Sequence, residues 1–96
     1  VSSFKLTVAA EKDLIRIYTE GVIAFGPEQA SRYHQMLFQT FGFLADNPRA
    51  ATVRPELTKD IRIHPTGTHI VLYTVRRQDI LILRIRHQHE DWLDHE

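Results

Sequence analysis

The sequence predicts an α+β fold: an N-terminal strand, an antiparallel helical hairpin, then a three-stranded antiparallel sheet that the hairpin covers on one face. Three observations carry that expectation. Two successive stretches repeat apolar residues at helical spacing and meet at Gly26-Pro27. Beyond residue 60 the pattern changes to short runs rich in Ile, Val, Leu, Tyr and Thr, the composition of strands. At the start, Phe4, Leu6 and Val8 alternate with Lys5 and Thr7, as a half-buried strand does. The chain has 96 residues, enough for a single core, and carries no internal repeat or linker, so one domain over 1–96 is expected.

Each element has a local reason. Thr7 is placed to cap the first helix, whose opening residues Ala9-Ala10-Glu11-Lys12-Asp13 are good helix formers, with acids at the positive end of the helix dipole. Leu14, Ile17, Tyr18, Val22 and Phe25 fall near helical spacing and predict its buried stripe. Gly21 weakens this helix and marks a place for another backbone to come close; Gly26 ends it. Pro27 suits the first turn of the second helix, with Glu28 beside it. Its predicted stripe is Ala30, Tyr33, Leu37, Phe41 and Leu44, with Met36 and Phe43 forming a second apolar side. Asn47-Pro48 closes it, since the residue before proline is pushed out of helical geometry.

Residues 48–60 read as an irregular connection interrupted by Pro48 and Pro55. Ile61–His64 is a short strand, turned by Pro65-Thr66-Gly67 into the pair His69–Val75 and Ile80–His87, which Arg76–Asp79 joins. Simple alternation along the last strand puts Leu81, Leu83, Ile85 and His87 on the core face. The opposite face then holds Ile80, Ile82, Arg84 and Arg86, apolar at one end and cationic at the other, as contact surfaces often are.

Composition narrows the chemistry. There is no cysteine, hence no disulfide or thiolate metal site. No apolar run approaches the roughly 20 residues that span a bilayer, and no cleavable leader pattern is present in this stretch. Net charge is zero but uneven: residues 49–87 hold eight Lys/Arg against three Asp/Glu, whereas 88–96 hold four acids and no Lys or Arg. Nine of the twelve basic residues are Arg, which favours planar contacts to carboxylate or phosphate. A protein dominated by nucleic-acid binding would carry a clear positive excess, which this chain lacks. His87 and His89 lie two apart on an extended segment, but no third metal ligand accompanies them, and no cofactor fingerprint is present.

Taken in order, the residues resemble a known family. An early strand leads to Ala9-Ala10-Glu11-Lys12-Asp13-Leu14 and Ile17-Tyr18, then Phe25-Gly26, Gln29-Ala30 and Tyr33. Leu44-Ala45-Asp46-Asn47-Pro48 follows, then Gly67-Thr68-His69-Ile70-Val71-Leu72-Tyr73 and Ile82-Leu83-Arg84-Ile85-Arg86-His87. This pattern is similar to the ParE toxins of the RelE/ParE superfamily, the toxin half of type II toxin–antitoxin pairs. The resemblance implies a small cytoplasmic protein that causes growth arrest, serves plasmid maintenance, and is neutralised by a ParD-like ribbon-helix-helix antitoxin in a hetero-oligomer. It implies DNA gyrase as the target, with DNA met only through gyrase or the antitoxin, and no membrane partner. The alternative within the superfamily is a RelE-like ribosome-dependent mRNA endoribonuclease.

RNA cleavage needs a base, an acid and positive charge for the phosphate. Arg62, Arg84 and His87 are the candidates for that chemistry. Two departures count against it: Gln88-His89 follows His87 in place of an aromatic residue, and 48–60 contains Lys59 as its one lysine. The residues therefore favour a binding protein without a catalytic site. The expected antitoxin contacts are Ile80, Ile82, Arg84 and Arg86. The expected target contacts are Arg84, Arg86, His87 and Trp92. His69, inside a strand, is expected to be structural, satisfied by backbone or a nearby hydroxyl.

Overall fold

The computed structural model describes residues 3–51, 53 and 60–89. In chain order these form β1 (Phe4–Leu6), α1 (Val8–Phe25), α2 (Pro27–Asp46), β2 (Ile61–Thr66), β3 (His69–Val75) and β4 (Ile80–His87). The strands make one mixed sheet in the order β1-β4-β3-β2. β2, β3 and β4 are antiparallel neighbours. β1 adds to them as a fourth strand, parallel to β4, with Phe4 opposite Ile80 and Leu6 opposite Ile82. Local alternation alone does not reveal this pairing, because it joins the two ends of the chain.

The helices form where their caps allow. The Thr7 hydroxyl accepts the Ala10 N–H at 3.0 Å and donates to the Leu83 carbonyl at 2.8 Å, so one side chain starts α1 and ties it to β4. Gly26, at φ 91°, takes the left-handed region where the chain turns into Pro27. The hairpin is tight because of Gly21: a Cβ built there would lie 3.3 Å from the Ala30 Cβ, tighter than side chains usually approach.

Leu37, Phe41 and Leu44 of α2 are fully buried against Val71, Tyr73 and Ile85 of the sheet. The predicted α2 stripe therefore lies inward, with Tyr33 half-buried at its N-terminal end. The α1 stripe is rotated from its predicted position. Ala10, Asp13, Leu14 and Ile17 are buried, whereas Tyr18 and Phe25 are exposed and Val22 is half-exposed. A small residue and a carboxylate occupy the inward face, so counting large apolar residues misplaced it.

The strand faces are also corrected. Across the β3–β4 ladder, Leu72 opposes Arg84 while Tyr73 opposes Ile82, so Leu83 is an extra residue with no opposite number. This bulge reverses the alternation that simple period-two counting assumes. Ile80 and Ile82 therefore point into the main core, at 1% and 0% exposure, together with Ile85 beyond the bulge. Leu83 is half-buried on the opposite face, packed with Ile61, Ile63, Ile70 and Leu72.

Candidate functional site

Two constellations collect the polar side chains that the fold positions most firmly. The first lies along the edge of β4. β1 ends at Leu6, and Thr7 makes the last strand-like bond, donating its N–H to the Ile82 carbonyl at 3.1 Å. Beyond that point α1 runs beside the edge, and Asp13 takes over as acceptor. Its Oδ2 receives the Ile85 backbone N–H at 3.0 Å and Arg84 Nε at 2.8 Å. Its Oδ1 receives Arg84 Nη2 at 3.0 Å and Arg16 Nη2 at 3.3 Å. The Asp13 side chain is 5% exposed, while those of Arg84 and Arg16 are 37% and 43% exposed. A buried carboxylate is stable here because every bond it accepts comes from a donor the fold fixes.

The second constellation lies two residues further along β4, where β3 begins and β4 ends. The Tyr33 hydroxyl accepts the Thr68 N–H at 3.1 Å and lies 2.6 Å from His69 Nδ1. Thr68 Oγ1 lies 3.4 Å from the Tyr33 hydroxyl and 3.3 Å from His69 Nδ1, so the three side chains form one hydrogen-bonded group. His69 is thereby satisfied by a hydroxyl, as its position within a strand suggests. The Gly67 turn makes room for this: φ is +57°, and a Cβ there would sit 2.6 Å from the Tyr33 oxygen. The His87 ring is edge-on to His69 at 5.4 Å, and His87 Nδ1 accepts the His89 N–H at 3.2 Å. These groups border a cavity of about 430 Å³ walled by Ile17, Ala24, Phe25 and Ala30 of the hairpin.

The candidates for RNA chemistry are not assembled. Arg62 donates to the Ala51 carbonyl, Arg84 holds Asp13, and His87 belongs to the imidazole row. Arg62 lies across from Tyr73, Arg84 from Leu72, and His87 from His69, which separates His87 from the arginines along the ladder. Among the described residues, no three His, Asp or Glu side chains are grouped as metal ligands.

Of the expected antitoxin contacts, Arg84 and Arg86 remain partly accessible, with Arg86 opposite Ile70 on the face turned away from the helices. Ile80 and Ile82 do not belong to an accessible surface, because the bulge turns them into the core. Of the expected target contacts, Arg84, Arg86 and His87 occupy one strand, while Trp92 lies outside the described residues. Sequence reasoning missed Asp13 and Arg16. The available signal was the i, i+3 spacing of an acid and an arginine on the helix predicted to pack against the sheet.

The element order, with a helical hairpin laid over one face of a small sheet, defines a RelE/ParE-like toxin fold. The family model described as ParE toxin of type II toxin-antitoxin system, parDE, matches residues 4–92, and the chain belongs to that family. It is 31% identical to "Toxin ParE1" of Caulobacter vibrioides over 85 residues, 88% of each chain. Among solved structures it is similar to the "Chromosomal ParDE TA system from P. aeruginosa", with a TM-score of 0.75 and 28% identity. That match covers 88% of this chain and 94% of the other. No described helix is long and apolar enough to cross a membrane.

Proposed function

We propose that this ParE-family toxin acts by inhibiting DNA gyrase, blocking replication, and that a ParD-like antitoxin neutralises it by direct binding. The observation that carries this reading is the arrangement of Arg62, Arg84 and His87. Each is engaged in a separate structural contact rather than converging on a place for a scissile phosphate. Catalysis needs such groups held together at a reacting centre. What remains on the surface is a set of guanidinium groups at one strand and its edge, suited to pairing with carboxylates of a protein partner.

In this reading Arg84 and Arg86 contact the antitoxin and, with His87 and Trp92, the target. A shared surface supplies a mechanism of neutralisation: an antitoxin seated on the arginines leaves gyrase nothing to grip. The protein works in the cytoplasm, where both partners reside, and in plasmid maintenance its toxicity penalises loss of the antitoxin gene.

The test sets the purified toxin against gyrase and plasmid DNA, beside ribosomes translating a defined mRNA. Loss of supercoiling or accumulation of cleaved plasmid is expected, relieved by the antitoxin. Site-specific mRNA cuts with gyrase unaffected would replace this reading by the RelE-like one.

A further inference from the structure

Met36 carries the one sulfur atom of the sequence, which has a single methionine and no cysteine. It lies on α2, half-buried, and packs against the main core. Two hydroxyls gather beside that sulfur. Thr66, at the end of β2, donates to Met36 Sδ at 2.9 Å. Thr40, one turn further along α2, has its oxygen 3.8 Å from the same sulfur and 3.1 Å from Thr66 Oγ1. It also donates to the Met36 carbonyl at 3.0 Å. A thioether is a weak acceptor, so a pair of hydroxyls is poorly matched to it.

The mismatch disappears when the sulfur carries an oxygen. A thioether has two lone pairs, and the Thr66 hydrogen occupies one of them. The second is left to an oxidant. An oxygen bonded to sulfur on the Thr40 side comes within hydrogen-bond reach of that hydroxyl, which stands too far from the sulfur itself to bond it well. The carbonyl that Thr40 now serves also accepts a backbone N–H within the helix, so turning the hydroxyl to an oxide gives up a redundant bond. Met36, Thr40 and Thr66 are half-buried rather than sealed, so a reagent little larger than water has access.

We propose that Met36 is a site of reversible oxidation by hydrogen peroxide, with Thr66 holding one sulfur lone pair and Thr40 receiving the oxide, so that the folded toxin forms one sulfoxide epimer. The second lone pair attacks one peroxide oxygen, and the S–O bond forms as the O–O bond breaks. Sulfur loses two electrons and the peroxide gains them. The departing oxygen leaves as water, taking the proton of the oxygen that stays. The product is a polar, chiral group where an apolar one stood. Its new acceptor meets a hydroxyl instead of the core, so the fold is retained. The inference is independent of what the toxin acts on.

The experiment exposes the purified toxin to hydrogen peroxide, with circular dichroism to verify the fold and peptide mapping to place the added oxygen. Samples are then treated separately with the reductase for each sulfoxide epimer. For the folded protein one reductase is expected to remove roughly nine-tenths of the oxygen at Met36, against about half for each reductase when the chain is oxidised in urea. Thr66→Val opens the second approach and is expected to move the folded protein toward that even mixture. Thr40→Val is expected to lower the melting temperature more after oxidation than before it. An even mixture from the folded wild type would overturn the proposal. So would a Met36 that stays reduced at a peroxide concentration that oxidises the unfolded chain, or a folded Thr66→Val protein with the wild-type epimer ratio.

Discussion

From Ile80 to Ile82, β4 has a strand on each side; from Arg84 to His87 it has β3 on one side and a helix on the other. The first half is held by apolar burial and ladder hydrogen bonds. Its isoleucines are sealed and its edge is occupied by β1. The second half is held by an ion cluster, with the Asp13 carboxylate standing where a strand carbonyl would stand to receive the Ile85 N–H. The Leu83 bulge separates the two regimes. The difference shows how one strand can be sealed core at one end and half-exposed and charged at the other: the second half exchanges a strand neighbour for charged side chains.

The largest expected effect tests the first half. Ile82→Ala empties a fully buried position and should cost about 2–5 kcal/mol in urea unfolding. Leu83→Ala, at a half-buried position across the sheet, should cost less, about 1 kcal/mol. Reversal of that order would restore the uninterrupted alternation and break the comparison.

Next comes the cluster that replaces a strand. Asp13→Ala removes the acceptor for Ile85 N–H and for two guanidinium groups, an expected loss of about 1–3 kcal/mol. The partial exposure of both arginines keeps this below the cost of stranding a fully buried charge. Asp13→Asn retains an oxygen for the backbone bond and should fall between wild type and Asp13→Ala in the same titration. Equal losses for the two variants would mean that charge, rather than the edge bond, dominates.

A smaller effect is expected where the second half ends. Gly67→Ala forces an L side chain into φ +57° and against the Tyr33 hydroxyl, about 1–2 kcal/mol of strain, read as a lowered melting temperature. The smallest effect is on pH dependence. His64 lies in the same cross-strand row as Val71 and Ile85, and burial lowers its pKa. The unfolded chain therefore binds a proton there before the folded one does. Stability is full above about 6.5, the ordinary histidine value, and falls as pH drops through it towards the lowered folded value. His64→Gln should flatten part of that slope in denaturation series across this range; an unchanged slope would place the titration at other histidines.

Much of this architecture was legible in local pattern. The strands His69–Val75 and Ile80–His87 have the predicted bounds, because β-branched runs bordered by Gly67 and a charged turn leave little alternative. The cap at Thr7 and the stop at Asn47-Pro48 were equally plain. What stayed hidden depends on relations between elements. The bulge at Leu83 exists only in the register with β3, which no single strand encodes. The inward face of α1 hinges on Asp13, whose burial makes sense only once Ile85 N–H and Arg84 are beside it. The candidate site suffered for the same reason: Ile80 and Ile82 were assigned to the face of Arg84 and Arg86, whereas the bulge turns both into the core.

The parallel pairing of β1 with β4 also governs how the molecule comes into being. β1 precedes the hairpin, yet its one strand neighbour among the described residues, and the acceptors for the Thr7 N–H and hydroxyl, belong to residues from Ile80 to Leu83. On a ribosome, the helical hairpin can assemble from local contacts while β1 waits unpaired until β4 has been made. Asp13 waits likewise for Arg84, its partner 71 residues later. The strand that closes the sheet also carries Arg84 and Arg86, so the core and the Asp13–Arg84 cluster are completed together, once β4 has been made. Until β4 has been made, neither the closed sheet nor the arginine cluster at its edge exists.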